Sequence, residues 1–126
     1  MSLPVNARIQ AAHSFVRNVR FAQEFLHQQD TIGAEAKYGA LLARLKEARE
    51  HLRWNPAGGR AARFLQTHSS QGQAMAARAL ALAAKHGVPQ LRELVVKPYV
   101  LLYAHSDNRV LLLALKHERL LVFELV

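Results

Sequence analysis

Four side chains in the second half of the chain have the chemistry that RNA cleavage requires: Tyr103, His117, Arg119 and Arg92. Cleavage through the 2′-hydroxyl needs a base for its proton, cations that stabilise the charge on phosphorus, and an acid for the leaving oxygen. His117 and Arg119 fall in the last predicted turn, and Tyr103 ends a predicted central strand. Arg92 and Arg60 could supply positive charge to one face. The candidate catalytic residues are therefore Tyr103, His117, Arg119 and Arg92.

The same side chains also have ordinary structural interpretations. Tyr103 fits a core aromatic residue, His117 fits a turn residue, and Arg92 fits an ion-pair partner of Glu93 or Glu124. A catalytic base must lie within hydrogen-bonding reach of the proton that it removes. The sequence leaves both interpretations open, because it does not give these distances.

The balance of charge points to an acidic partner. Seventeen Lys and Arg residues against nine Asp and Glu residues give a formal net charge of +8, which attracts polyanions. Nucleic acid, an acidic protein segment and a nucleic-acid-bound machine all fit, and so does plain solubility. Arg49 and Arg53 lie on the polar face of a predicted helix, with Arg60 just beyond it. These three are the candidate target-binding residues, although such charges are often only a solvated face.

Several kinds of site are excluded by composition. The chain has no cysteine, so disulfides, thiolate metal sites and cysteine nucleophiles are absent. No two of its seven histidines lie three or four residues apart, so no helical His pair can bind a metal. Gly58-Gly59 belongs to no phosphate-binding loop pattern. We expect no metal and no cofactor.

The sequence also predicts where the protein resides. The first eight residues do not form a basic segment followed by an apolar one, and apolar runs such as 110–115 are far shorter than a bilayer span. We therefore expect no signal peptide, no transmembrane helix and no membrane partner. The lack of cysteine agrees with a reducing cytoplasm.

The elements that must position these residues begin with two amphipathic helices. Apolar residues recur at three- and four-residue steps from Phe15 to Leu26, and again from Tyr38 to Leu52. The short link at 29–33 makes the helices antiparallel neighbours, and 55–59, Asn-Pro-Ala-Gly-Gly, stops the second. This pattern predicts a helical hairpin over 12–54.

A third helix and a sheet follow in the predicted order. Ser70 and Gln73 form a capping box before an alanine-rich helix at 71–86. From Leu91 the pattern changes to β-rich runs at 91–97, 99–105, 109–116 and 120–125, separated by turn residues with the spacing of an antiparallel meander. At 126 residues the chain fits a single domain, 1–126. The predicted fold is α+β: an N-terminal helical hairpin packed on a C-terminal antiparallel sheet of three to four strands at 91–125, with an extra inserted helix.

The order of landmarks resembles the RelE/ParE superfamily of plasmid-stabilisation toxins. The landmarks are the hairpin, the stop at 56–60 (Pro-Ala-Gly-Gly-Arg), Leu-Arg-Glu at 91–93, the strand ending at Tyr103 and the strand ending at His117. They cover nearly the whole chain except about residues 66–90. Two features depart from the family. Its opening strand has only Ser2 to Val5 to match it here, and the inserted helix is extra.

The resemblance implies the toxin of a type II toxin–antitoxin system, neutralised by a cognate antitoxin. RelE-like members cleave mRNA on the ribosome as metal-independent endoribonucleases, whereas ParE-like members poison DNA gyrase. The C-terminal tyrosine and central lysine cluster of the RelE-like branch have no counterpart in this chain, which favours ParE-like inhibition by binding. The alternatives are RelE-like cleavage and a non-toxic partner-binding domain of the same fold. A homodimer or a heterotetramer with antitoxin is compatible with each.

Overall fold

The computed structural model of the chain describes residues 5–63, 69–120 and 123–125. These residues form three helices and five strands: β1 (Arg8–Ala11), α1 (His13–Gln29), α2 (Ala34–Trp54), β2 (Arg60–Ala61), α3 (Ser70–Lys85), β3 (Gln90–Val96), β4 (Tyr99–His105) and β5 (Arg109–His117). Within the described ranges, no helix is long and apolar enough to cross a membrane.

The helical hairpin is confirmed, and its connection has a local cause. Asp30 ends α1, and its carboxylate accepts a hydrogen bond from the Gly33 amide (3.0 Å) and pairs with Lys37 Nζ (3.2 Å). These contacts hold the pKa of Asp30 below its ordinary value, the Gly33 amide contributing most. At the far end, α2 stops at Asn55 before Pro56, since proline cannot continue a helix.

The inserted helix is also present, although its cap differs from the prediction. The hydroxyl of Ser69, not that of Ser70, accepts a hydrogen bond from the Gly72 amide at 3.0 Å. The helix therefore begins at Ser70, one residue early. After the helix, Gly87 has a φ of +71°, a left-handed conformation that glycine adopts without steric cost.

The sheet differs from the predicted antiparallel meander. It has five strands in the order β1-β5-β4-β3-β2. The pairs β5–β4, β4–β3 and β3–β2 are antiparallel, but β1 pairs with β5 in parallel, Arg8 opposite Arg109 and Ala11 opposite Leu112. The sheet is therefore mixed, and β1 begins at Arg8. Residues 2–4 of the expected opening strand lie outside the described part of the chain.

The last predicted strand, at 120–125, is wrong. Leu120 and residues 123–125 have no strand structure, and residues 121–122 lie outside the described part of the chain. The edge of β5 that this segment would have extended is already taken by β1. Phe123 is instead buried against α3, where its amide donates to Met75 Sδ at 3.4 Å.

The sheet separates two hydrophobic cores. One core joins α1 and α2 to one face of the sheet, through residues such as Phe15, Leu52, Leu101 and Tyr103. The other joins α3 and Phe123 to the opposite face. The predicted packing of the hairpin on one face is confirmed, and α3 covers the other. β4 is buried along its whole length because it lies at the centre of this arrangement.

Polar side chains of α1 tie the hairpin to an irregularity in β5. The register between β4 and β5 shifts so that Leu113 has no opposing residue, a β-bulge. Ser14 donates its hydroxyl proton to the Leu113 carbonyl, and Asn18 accepts a hydrogen bond from the Leu115 amide at 2.9 Å. Both backbone groups are thus satisfied by the helix, as buried polar groups require.

Candidate functional site

A basic cleft opens on the α3 face of the sheet, between the start of α3 and the ends of β2, β3 and β5. Its volume is about 950 Å³. Among the described residues, five cationic side chains and two carboxylates line it: Arg60, Arg63, Lys97, Lys116 and Arg119, with Glu93 and Glu118. The cleft therefore carries about three net positive charges and is suited to an anion with several charges.

A buried ion pair forms one wall of the basic cleft. Glu93 is only 4% exposed, and its Oε1 lies 3.3 Å from Nε of Arg60. The antiparallel pairing of β2 with β3 places these residues opposite each other. Since breaking a buried pair leaves an uncompensated charge, this contact anchors β2 to the sheet. Arg60 is 40% exposed, so it also faces the cleft.

Close backbone approach makes a glycine necessary just before this ion pair. A Cβ atom on Gly59 would lie 2.5 Å from the Glu93 carbonyl oxygen and 2.8 Å from the Tyr103 hydroxyl. No ordinary side chain tolerates such distances. Gly59 therefore permits the turn between α2 and β2 to lie directly on the sheet.

Burial and neighbouring charges both act on Lys116 in the basic cleft. Partial burial lowers its pKa, and repulsion from Arg63 and Arg60 acts in the same direction, whereas Glu93 and Glu118 oppose the shift. Its Nζ donates a hydrogen bond to the Leu120 carbonyl at 2.8 Å. The same atom lies 5.2 Å from the centre of the Phe123 ring, a cation–π contact.

A second depression, which we call the aromatic groove, adjoins the basic cleft. It has a volume of about 500 Å³ and lies between α1 and the ends of β4 and β5. Phe21 and Phe25 of α1 form one side, and Tyr99 and His117 form the other. The edge of the His117 ring meets the Tyr99 ring, with centroids 5.6 Å apart. The groove and the cleft share Lys116, Arg119 and Leu120.

Of the candidate catalytic residues, Tyr103 and Arg92 lie together in a structural clasp. Tyr103 is fully buried, and its hydroxyl donates to the Pro56 carbonyl (2.7 Å) and accepts from the Gly59 amide (2.8 Å). Burial raises its pKa. The guanidinium of Arg92 donates to the Gly59 carbonyl (3.1 Å) and to His105 Nε2 (3.0 Å). Both residues hold the turn that follows α2.

The other two candidates, His117 and Arg119, lie near the far end of the sheet. His117 Nδ1 accepts a hydrogen bond from the Arg119 amide at 3.2 Å, and His117 is opposite Tyr99 in the register. Tyr99 and Tyr103 are four residues apart on β4, which is about 13 Å at a rise of roughly 3.3 Å per residue. The four candidates therefore form two separate pairs.

The target-binding candidates are divided between two layers. Arg49 is exposed on α2, and Arg53 of the same helix pairs with Glu50 at 3.4 Å. Arg60 lies across the sheet in the basic cleft. Only Arg60 and Arg119, from the two sets of candidates, line that cleft.

Five charged residues of the basic cleft are not among the candidates from the sequence: Arg63, Lys97, Lys116, Glu93 and Glu118. The sequence suggests Glu93 as a partner of Arg92, but its ion pair in the structure is with Arg60. One signal was available in the pattern, because Lys116 is the first charged residue after the apolar run of β5. Among the described residues, no group of three or more His, Asp or Glu could hold a metal.

Comparison with known proteins leaves the family open. No protein-family model matches the chain, and no curated protein sequence matches it.

Proposed function

We propose that the chain is the toxin component of a toxin–antitoxin pair, a cytoplasmic protein that arrests growth by binding a nucleic-acid-bound target such as DNA gyrase. The basic cleft carries this proposal, with five cations against two carboxylates. A cleft of one sign raises the local concentration of an oppositely charged partner and speeds its association. Growth arrest is proposed as the consequence of this binding because the sequence landmarks resemble those of RelE/ParE toxins.

The positions of the candidate catalytic residues favour binding over cleavage. The Tyr103 hydroxyl already has two backbone partners, so it is poorly placed to transfer a proton to a substrate. Arg92 is engaged by Gly59 and His105. The remaining pair, His117 and Arg119, offers a base and a cation. Tyr103 and Arg92, however, lie towards the other end of β4.

A cognate antitoxin would neutralise the protein by covering the basic cleft. β2 is a short edge strand whose two residues are exposed, and it borders the cleft. Edge strands accept an added strand through their free backbone groups. An acidic, amphipathic segment of the antitoxin could pair with β2 and place carboxylates among the cations.

Induced expression in a bacterial host tests the proposal. The wild-type chain should arrest growth with a DNA-damage response and leave ribosome-bound mRNA intact. His117→Ala should retain the arrest with at most a modest loss, whereas Lys116→Gln combined with Arg119→Gln should lose it. Arg78→Gln is the matched control, since Arg78 is an exposed cation of α3 outside the cleft. Co-expression of the neighbouring reading frame should restore growth.

Other outcomes of this experiment would reverse the order of hypotheses. Codon-specific cuts in mRNA, abolished by His117→Ala or Arg119→Ala, would make the protein a ribosome-dependent endoribonuclease. Absence of any growth defect would leave a non-toxic partner-binding domain.

One observation favours the endoribonuclease as the second candidate. His117 and Arg119 lie next to Lys116 at the end of β5, where the basic cleft and the aromatic groove meet. His117 would take the proton of the attacking 2′-hydroxyl, and Lys116 would give one to the departing 5′-oxygen, leaving a 2′,3′-cyclic phosphate. His117→Ala would then abolish cleavage while binding of RNA persists.

A further inference from the structure

The basic cleft and the aromatic groove meet at the end of β5, where the surface passes from the α3 face of the sheet to the α1 face. Lys116, Arg119 and Leu120 line both depressions, so a ligand that leaves the cleft across these residues enters the groove. The cleft offers positive charge, and the groove offers aromatic rings. The surface therefore combines two kinds of chemistry at adjacent positions.

The charged residues that the two depressions share, Lys116 and Arg119, are both positive. No carboxylate lines the aromatic groove among the described residues, whereas Lys116 and Arg119 do. In the cleft, one of the two carboxylates, Glu93, is already paired with Arg60. Glu118, the other carboxylate of the cleft, is exposed to solvent. Cations still outnumber carboxylates along the path from the cleft to the groove, which favours a chain of negative charges.

The aromatic rings of the groove are exposed to an unusual degree. Phe21 is 63% exposed and Phe25 is 44% exposed. They are four residues apart on α1, so they lie on the same side of the helix. Exposed aromatic rings beside cations are the arrangement on which unpaired bases stack.

We infer that this surface binds single-stranded nucleic acid, with phosphates in the basic cleft and bases stacked on Phe21 and Phe25. A duplex offers phosphates to the cleft, but its bases are stacked inside and cannot cover the phenylalanine rings. An acidic peptide would satisfy the cations without requiring aromatic rings. The inference goes beyond the proposed function and does not depend on it.

Fluorescence anisotropy with a labelled oligothymidylate or oligouridylate of about ten nucleotides tests the inference. Phe21→Ala and Phe25→Ala should each weaken binding about tenfold, since stacking on one aromatic ring contributes roughly 1–3 kcal/mol per base. Val16→Ala is the matched control, because Val16 is an exposed apolar residue of α1 outside the groove. Its affinity should equal that of the wild-type chain.

Salt and charge variants test the basic cleft separately. Neutralising one phosphate contact should reduce the slope of log K against log salt by roughly 0.7 for a single strand. Arg119→Gln should show this change, and Arg78→Gln should not. Thermal unfolding followed by circular dichroism verifies that each variant is folded.

Three results would overturn the inference. These are equal affinity for a duplex and a single strand, no loss of affinity in either phenylalanine variant, and full competition by a polyglutamate peptide with no dependence on Phe21 or Phe25. The growth assay is read independently. Binding without growth arrest would contradict only the toxin proposal. Growth arrest without oligonucleotide binding would contradict only this inference.

Discussion

Individual polar groups in this protein are mostly committed to holding backbone segments together. Tyr103 is the best example, because one buried hydroxyl joins β4 to both ends of the Pro56–Gly59 turn. A group engaged in this way contributes to stability, and its loss leaves two backbone groups without a hydrogen-bond partner.

Replacement of Tyr103 by phenylalanine tests whether the role is structural. Tyr103→Phe should lower the free energy of unfolding by about 1–3 kcal/mol, because a carbonyl and an amide lose their partner. Growth arrest should persist at temperatures where the variant is folded. Urea denaturation measures the stability, with Tyr38→Phe on α2 as the control. Unchanged stability with lost activity would restore the catalytic interpretation.

The Tyr103 hydroxyl also predicts a dependence of stability on alkaline pH. Burial raises its pKa above the ordinary value of 10.0. In the unfolded chain the phenol loses its proton near pH 10, while the folded chain retains it, so the unfolded state is favoured as the pH rises. The stabilising contribution is therefore complete below pH 10 and declines above it. Comparison of urea midpoints between pH 9 and 11 should show a steeper decline for the wild-type chain than for Tyr103→Phe.

At the scale of elements, the turn from α2 to β2 determines how the basic cleft is built. Gly59 brings the backbone against Glu93 and Tyr103, and this places Arg60 opposite Glu93. The cleft thus depends on an element of only two residues.

Two glycine substitutions make a matched test of this close approach. Gly59→Ala should destabilise the protein by about 2 kcal/mol or more, since the added methyl group meets backbone and a buried side chain. Gly39→Ala should stabilise it by about 0.5–1 kcal/mol, because Gly39 lies within α2 with open space around it. Equal and small effects in thermal unfolding would show that the turn can relax.

Element length explains which parts of the fold could be predicted. The helices and strands β3 to β5 have at least seven residues each, long enough for a period of 3.6 or 2 to be read. β1 has four residues and β2 has two, and only Ile9 interrupts the small and polar residues of β1. β1 and β2 form because the edges of β5 and β3 provide hydrogen-bonding partners. The periodicity of a sequence does not show where such edges lie.

The same reasoning applies to the basic cleft. Arg60 and Arg119 were predictable as cations near turns. Arg63 and Lys116 join them only after β2 pairs with β3 and α3 covers the second face of the sheet. Their convergence depends on tertiary packing between segments far apart in sequence.

For the whole molecule, net charge is the dominant electrostatic property. Eight excess positive charges repel one another, whereas the described ion pairs include only one with a buried partner, Arg60–Glu93. At 0.1 M, potassium chloride largely screens the repulsion between charges that lie more than about 10 Å apart. Raising the salt concentration should therefore increase the melting temperature by a few degrees. A decrease would mean that attractive surface pairs outweigh the repulsion.

The parallel pairing of β1 with β5 also constrains how fast the protein can fold. Ser14 and Leu113, which join α1 to the bulge, are 99 residues apart in sequence, so the sheet closes only after a long loop is formed. Contacts of such high sequence separation slow folding to about milliseconds or longer.

Stopped-flow fluorescence of Trp54, the chain's only tryptophan, should report early formation of the hairpin. Acquisition of full native stability should lag behind it, and Ser14→Ala should speed unfolding more than it slows folding.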